Sequence, residues 1–148
     1  MTKQLLAVLA EGFEGPKHDL TYFLDSGPDA GLRNTLAALS AEEASRERGG
    51  NSVAAHAHHI LFSFEAFGAW IRGDRNLRDW SQSWSVSTVD DASWRKLQED
   101  LGREYTSLRE AVRGAEGDDA LRGAVAAVTH LAYHIGAIRQ KLAWSAAA

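Results

Sequence analysis

Trp94, Leu97, Leu101, Tyr105, Leu108 and Val112 follow one another at steps of three and four residues. That spacing puts them on one face of an α-helix and leaves charged residues on the other. Such a helix gains little from its own hydrogen bonds and is stable only when its apolar face meets another. The rest of the chain supplies partners of the same kind. Leu5, Leu6, Leu9 and Phe13 predict a first helix over about Lys3 to Phe13. Leu32, Leu36 and Leu39 predict a second, and Val53, His56, Ile60, Phe64, Phe67 and Ile71 a third over about Ser52 to Arg72. The last segment, about Asp119 to Ala143, is apolar on most of its circumference, which places it centrally or shares it with a second subunit. No strand alternation, internal repeat or low-complexity tract stands out. The expectation is an all-α bundle, a single domain over residues 1–148.

Punctuation between these segments is clear in places. Gly15-Pro16 ends the first helix, and Lys17 to Gly27 reads as a packed loop or a turn of helix around Leu20 to Leu24. Ser26-Gly27-Pro28-Asp29 is a start signal for a helix running to about Leu39. Ser40 and Glu43 have capping-box spacing and predict a short extra turn. Gly49-Gly50-Asn51-Ser52 breaks the chain and offers an N-cap, and Gly73-Asp74 stops the helix that follows. Arg75 to Asp91, with Trp80, Trp84, Val86 and Val89, has no sustained period and reads as a long ordered loop. Its two tryptophans are either anchors against the bundle or part of a binding site, and anchoring is the commoner use. Asp90-Asp91-Ala92-Ser93 and Asp118-Asp119 place acids at the starts of the last two helices, where the helix dipole favours them. The tail, Ala146 to Ala148, is expected to fray.

Composition excludes several chemistries. There is no cysteine, so disulfides, thiolate zinc sites and cysteine nucleophiles are ruled out and histidine and carboxylates remain as the strong metal ligands. The formal net charge is −4, with basic residues scattered among acids, which argues against nucleic acid as a partner. No segment approaches the ~20 apolar residues of a membrane span. The first ten residues resemble a signal peptide only superficially, since Glu11 and Glu14 follow at once. A cytoplasmic protein, without membrane or nucleic acid, is the expectation.

Five of the six histidines fall in two clusters. One is Ala55-His56-Ala57-His58-His59-Ile60 and the other Thr129-His130-Leu131-Ala132-Tyr133-His134. Residues four apart share a helix face, so His130 and His134 present two imidazoles that can chelate one ion. His56 and His59 share a face of the other helix while His58 points away, as a solvated residue would. A third imidazole from that helix would complete a facial set with positions left for water. The alternative is a group of core histidines satisfied by one another.

At these residues the chain resembles the DinB/YfiT-like superfamily of bacterial helical bundles. The resemblance spans most of the length and rests on Ser52 to Leu61 and, more specifically, on His130-Leu131-Ala132-Tyr133-His134-Ile135-Gly136-Ala137-Ile138-Arg139-Gln140, which looks like that family's closing H-x-x-x-H-x-G-x-I motif. It implies an up-down-down-up four-helix bundle with a short extra helix and a long tryptophan-containing loop. It also implies one divalent transition metal ion, zinc or nickel, held by His59, His130 and His134, and a homodimer. His59 fits the family frame, with Ile60, Glu65 and Trp70 after it, better than His56. His56 is left as a supporting residue or an alternative ligand.

A three-histidine site with open positions is of catalytic type, and a bound ion lowers the pKa of a water or thiol. Similarity to the family implies a metal-dependent enzyme acting on a small molecule, a thiol-dependent S-transferase or a hydrolase, with a low-molecular-weight thiol such as bacillithiol or mycothiol as co-substrate. A non-catalytic metal or small-molecule binder in stress response is the alternative. Arg139 is read as an anion contact or a solvated helix arginine, and Glu65 as a partner to an imidazole or a residue facing water. No Ser-His-Asp set, phosphate loop or dinucleotide fingerprint is present.

Overall fold

The structure is a computed structural model describing residues 1–147 apart from 18, 19, 26 and 28, with the backbone alone at 145–147. Among the described residues all regular structure is helical. Six α-helices follow in order: α1 Thr2–Glu14, α2 Leu32–Ala37, α3 Ala41–Ser45, α4 Val53–Ile71, α5 Asp91–Arg113 and α6 Asp118–Ala147. A single 3₁₀ turn, Trp80–Trp84, interrupts the loop between α4 and α5.

Local chemistry explains where the helices begin. Ser52 caps α4 by accepting from Ala55 N–H at 3.1 Å, and its hydroxyl donates to the Ser87 carbonyl at 2.5 Å. Asp90 caps α5 by accepting from Ser93 N–H at 2.7 Å. Ser40 and Glu43 form the reciprocal capping box that starts α3. The helix expected to run to Leu39 is shorter, Leu32–Ala37, and the start signal at Ser26 and Pro28 lies outside the described residues. A backbone-to-backbone contact limits this region. A Cβ on Gly31 would lie 2.3 Å from Gly15 N, and Gly15 itself has φ 95°. The exit from α1 and the entry to α2 touch where no side chain fits.

Residues 20–24 form no helical turn. A buried carboxylate organises them instead. Glu11 accepts from the backbone N–H groups of Tyr22, Phe23 and Leu24 at 2.7, 2.9 and 2.8 Å, so this irregular stretch is satisfied by a side chain where a helix would satisfy itself.

The core gathers residues from all six helices. At its centre Phe13 stacks on Tyr105 and tilts against Phe64, and the Tyr105 hydroxyl donates to Glu14 at 2.8 Å. Trp94, Leu97, Leu101, Tyr105, Leu108 and Val112 are all buried, as their spacing predicts. The α4 helix packs on α5 and α6, and α1 packs on α5 and α6 from the other side. Hydrogen bonds fix directions. Ser52, at the start of α4, meets Ser87, just before α5, and Arg72, at the end of α4, reaches the Ser107 carbonyl. Thus α4 and α5 are parallel, and the long loop returns the chain along their length. In contrast, α6 runs antiparallel to α4, since Trp70 Nε1 donates to Asp119 O at one end and His56 faces His134 near the other. No helix of the described residues is long and apolar enough to cross a membrane.

Candidate metal centre

The seam between α4 and α6 brings the two histidine clusters together. His59 from α4 and His130 and His134 from α6 place one ring nitrogen each within 4.8 Å of one another. The closest approach is Nε2 to Nε2 of His59 and His130, at 3.0 Å. Ligands about 2.1 Å from one ion at angles of 90–109° are separated by roughly 3.0–3.4 Å, so this spacing suits a shared cation. Among the described residues no carboxylate joins the set. Three imidazoles without hard oxygen ligands favour a late transition metal over magnesium or calcium.

The outward nitrogens show how the rings are aimed. Ser83 is fully buried in the 3₁₀ turn. Its hydroxyl donates to the Trp80 carbonyl at 2.5 Å, so its oxygen accepts from His59 Nδ1–H, 2.7 Å away. That contact puts the His59 proton on Nδ1 and leaves Nε2 as a lone pair turned inward. His58 donates its Nδ1–H to the Ser83 carbonyl at 2.9 Å. His58 is therefore half-buried and holds the turn in place, where a solvated side chain was expected. His56 is buried, with Nδ1 at 3.0 Å from Nδ1 of His134. This contact engages Nδ1 of His134.

His130 differs from the other two. With no ion present, its Nε2–H donates to the His59 lone pair, and its Nδ1 is buried without a hydrogen-bond partner. An orphaned buried acceptor costs about 1–3 kcal/mol. A cation between the rings would accept the lone pairs turned toward it; the His130 proton would then sit on Nδ1, which stays unpartnered, so the fit rests on the spacing of the three imidazoles. The residues present therefore fit a metal ion.

Burial also keeps these rings neutral. It lowers His130 to about 4, helped by the neighbouring His59, and lowers His134 to about 3, helped by His130, His59 and His56. Burial, then Lys141 and His59, lower His56 to about 4. His59 is lowered by burial and by His58. Neutral imidazole is the form that binds metal.

The tryptophan loop is part of the centre and more than an anchor. Trp84 stacks on His59 with centroids 4.1 Å apart and planes 15° apart, and meets His56 edge-on at 5.3 Å. Trp80 lies 6.0 Å from both His59 and His130. The two indoles roof the histidines. Glu65 is exposed and, among the described residues, bonds to no imidazole. Arg139 is ion-paired with Asp25, and so ties the irregular segment after α1 to α6, away from the histidines.

The chain matches no protein-family model, no curated protein and no solved structure.

Proposed function

We propose that this chain is a DinB-like metal protein in which His59, His130 and His134 hold one zinc or nickel ion for chemistry on a small molecule. The observation that carries the reading is the orientation of the rings. Ser83 fixes the proton of His59 on the outer nitrogen, His56 engages Nδ1 of His134, and one nitrogen of each of the three rings lies within 4.8 Å of the others. Pairwise hydrogen bonds account for His59 with His130 and for His56 with His134, and not for the approach of His134 to the other two within 4.8 Å. The parallel pair α4 and α5 with a long crossover agrees with the up-down-down-up order that the DinB resemblance implies.

When bound, the ion would lower the pKa of a water or of a low-molecular-weight thiol and make it a nucleophile near neutral pH. The chain's own residues do the positioning. His59 is held in one tautomer by Ser83, His56 supports the His134 ring, and the rings of Trp80 and Trp84 limit access of bulk water from the loop side. A thiol S-transferase or hydrolase is the reaction class this supports. A homodimer through the outer face of α6, where Val125 and Tyr133 stand exposed, belongs to the same reading.

A second reading, a non-catalytic metal binder, is favoured by the Trp84 ring stacked flat on His59, which narrows access to the centre. Calorimetric titration of the metal-free protein with zinc and with nickel tests what the two share: one site per chain, lost in His134→Ala. Turnover of a thiol with electrophiles across a broad panel separates them. Turnover that disappears in His134→Ala supports the enzyme, and binding without turnover supports the binder.

A further inference from the structure

Next to the histidines, between α4, α6 and the loop, lies a cavity of about 420 Å³, within the range of small-molecule sites. Its walls include Phe67 and Trp70 of α4 and Leu77 and Trp80 of the loop, and its floor is Gly123 and Ala126 of α6. Gly123 lets the Trp70 wall pack directly on the α6 backbone: a Cβ there would lie 2.7 Å from Trp70 Cδ1. Two of the walls are shared with the histidine centre. The Phe67 and Trp80 rings also contact His130, at centroid distances of 5.6 and 6.0 Å.

Charge at this cavity runs against that of the chain. In a protein of net charge −4, three arginines, Arg75, Arg78 and Arg122, line it against the single acid Asp74. Asp74 is engaged by Asn76 and Arg78. Arg75 lies over the Trp70 ring at 4.0 Å and faces Asp119 at 4.0 Å. Arg122 has no partner among the described residues. On α6, Arg122, Ala126 and His130 are four residues apart and so form one stripe, about 12 Å from first to last.

The geometry points to this cavity as the substrate arm of the metal centre, built for an organic anion with a flat apolar body. It rests on the metal-site reading for what happens at the far end, but the binding site itself does not. The carboxylate or other anionic group meets Arg122, with Arg78 beside it. The apolar body lies over Ala126 between Phe67 and Trp70, and the far end reaches the Phe67–Trp80 wall that covers His130. A neutral molecule of the same shape gains the apolar contacts and loses the charge-assisted bonds.

Biphenyl-4-carboxylate and its neutral analogue biphenyl-4-methanol probe this directly, by calorimetry and tryptophan fluorescence on the full chain with and without zinc. The expected result is a single site for the carboxylate, with the alcohol at least about tenfold weaker. Arg122→Ala should weaken the carboxylate about tenfold and leave the zinc titration unchanged. Ala126→Trp should remove binding with helical circular dichroism intact, and in the wild type the carboxylate should shift the His130 ring resonances. Equal binding of acid and alcohol, or an unaltered affinity in Arg122→Ala, would overturn the proposal. Carboxylate binding in a protein that takes no zinc would sink the metal reading while leaving this one standing. Zinc binding without carboxylate binding would do the reverse.

Discussion

The Ser83 hydroxyl is shared between His59 and the Trp80 carbonyl, accepting from the first at 2.7 Å and donating to the second at 2.5 Å. One serine in a loop thereby sets the tautomer of a histidine on α4 and closes the turn that carries two indoles over the centre. Removing it separates orientation from ligation. Ser83→Ala should keep the fold and the one-ion stoichiometry while weakening zinc binding about 10- to 100-fold. Competition against a chromophoric chelator measures this, and an unchanged affinity would mean that the contact does not orient the ligand.

His56 and His59 lie three residues apart on α4, and the geometry gives them different tasks. His59 belongs to the convergent set and His56 meets Nδ1 of His134. We expect His59→Ala to lose stoichiometric metal and His56→Ala to keep one ion at reduced affinity. Metal content after exhaustive dialysis distinguishes them, and the opposite ranking would reassign the third ligand.

The metal-free protein should lose stability in mild acid for a reason that can be traced to the histidines. In the folded state His56 and His130 titrate at about 4 and His134 at about 3, below the ordinary value of about 6.5 that they regain on unfolding. Between these limits the unfolded chain binds more protons, so stability is full above pH ~6.5 and falls as pH drops toward ~3. Thermal melts at stepped pH should show this fall, and it should be shallower in a His130→Ala/His134→Ala double variant. Parallel pH profiles for the two proteins would contradict the assignment.

Glu11 offers a test of the fold apart from the site. Glu11→Ala strands the N–H groups of Tyr22, Phe23 and Leu24, and should destabilise by roughly 2–4 kcal/mol. Glu11→Gln, which keeps one acceptor oxygen, should cost less. Chemical denaturation ranks the two.

The parts of the molecule that were readable in the sequence are those where one short-range rule acts alone. The α5 stripe from Trp94 to Val112, the Ser52 cap and the Ser40/Glu43 capping box follow from periodicity and capping. The spacing of His130 and His134 identifies a shared face, the family frame points to His59 on the other helix, and the structure brings the three within 4.8 Å. What was hidden depends on contacts distant in sequence. Ser83 sits 24 residues from His59 in a stretch with no period, and nothing local separates it from Ser81 or Ser85. For Trp80 and Trp84 the sequence leaves anchors or a binding site open, with anchors the commoner use. The presence of buried histidines opposite them is a tertiary fact. His58 was read as solvated because helix geometry turns it away from His59, yet the returning loop covers that side as well. The contact of Gly15 with Gly31 at the entry to α2 is one that no propensity encodes.

Metal analysis by mass spectrometry tests the central claim most directly, on protein purified without a histidine tag, supplied with zinc or nickel and then dialysed. One ion per chain in the wild type and none in His130→Ala is the expected result. A wild-type protein that stays metal-free after both metals have been supplied would contradict it.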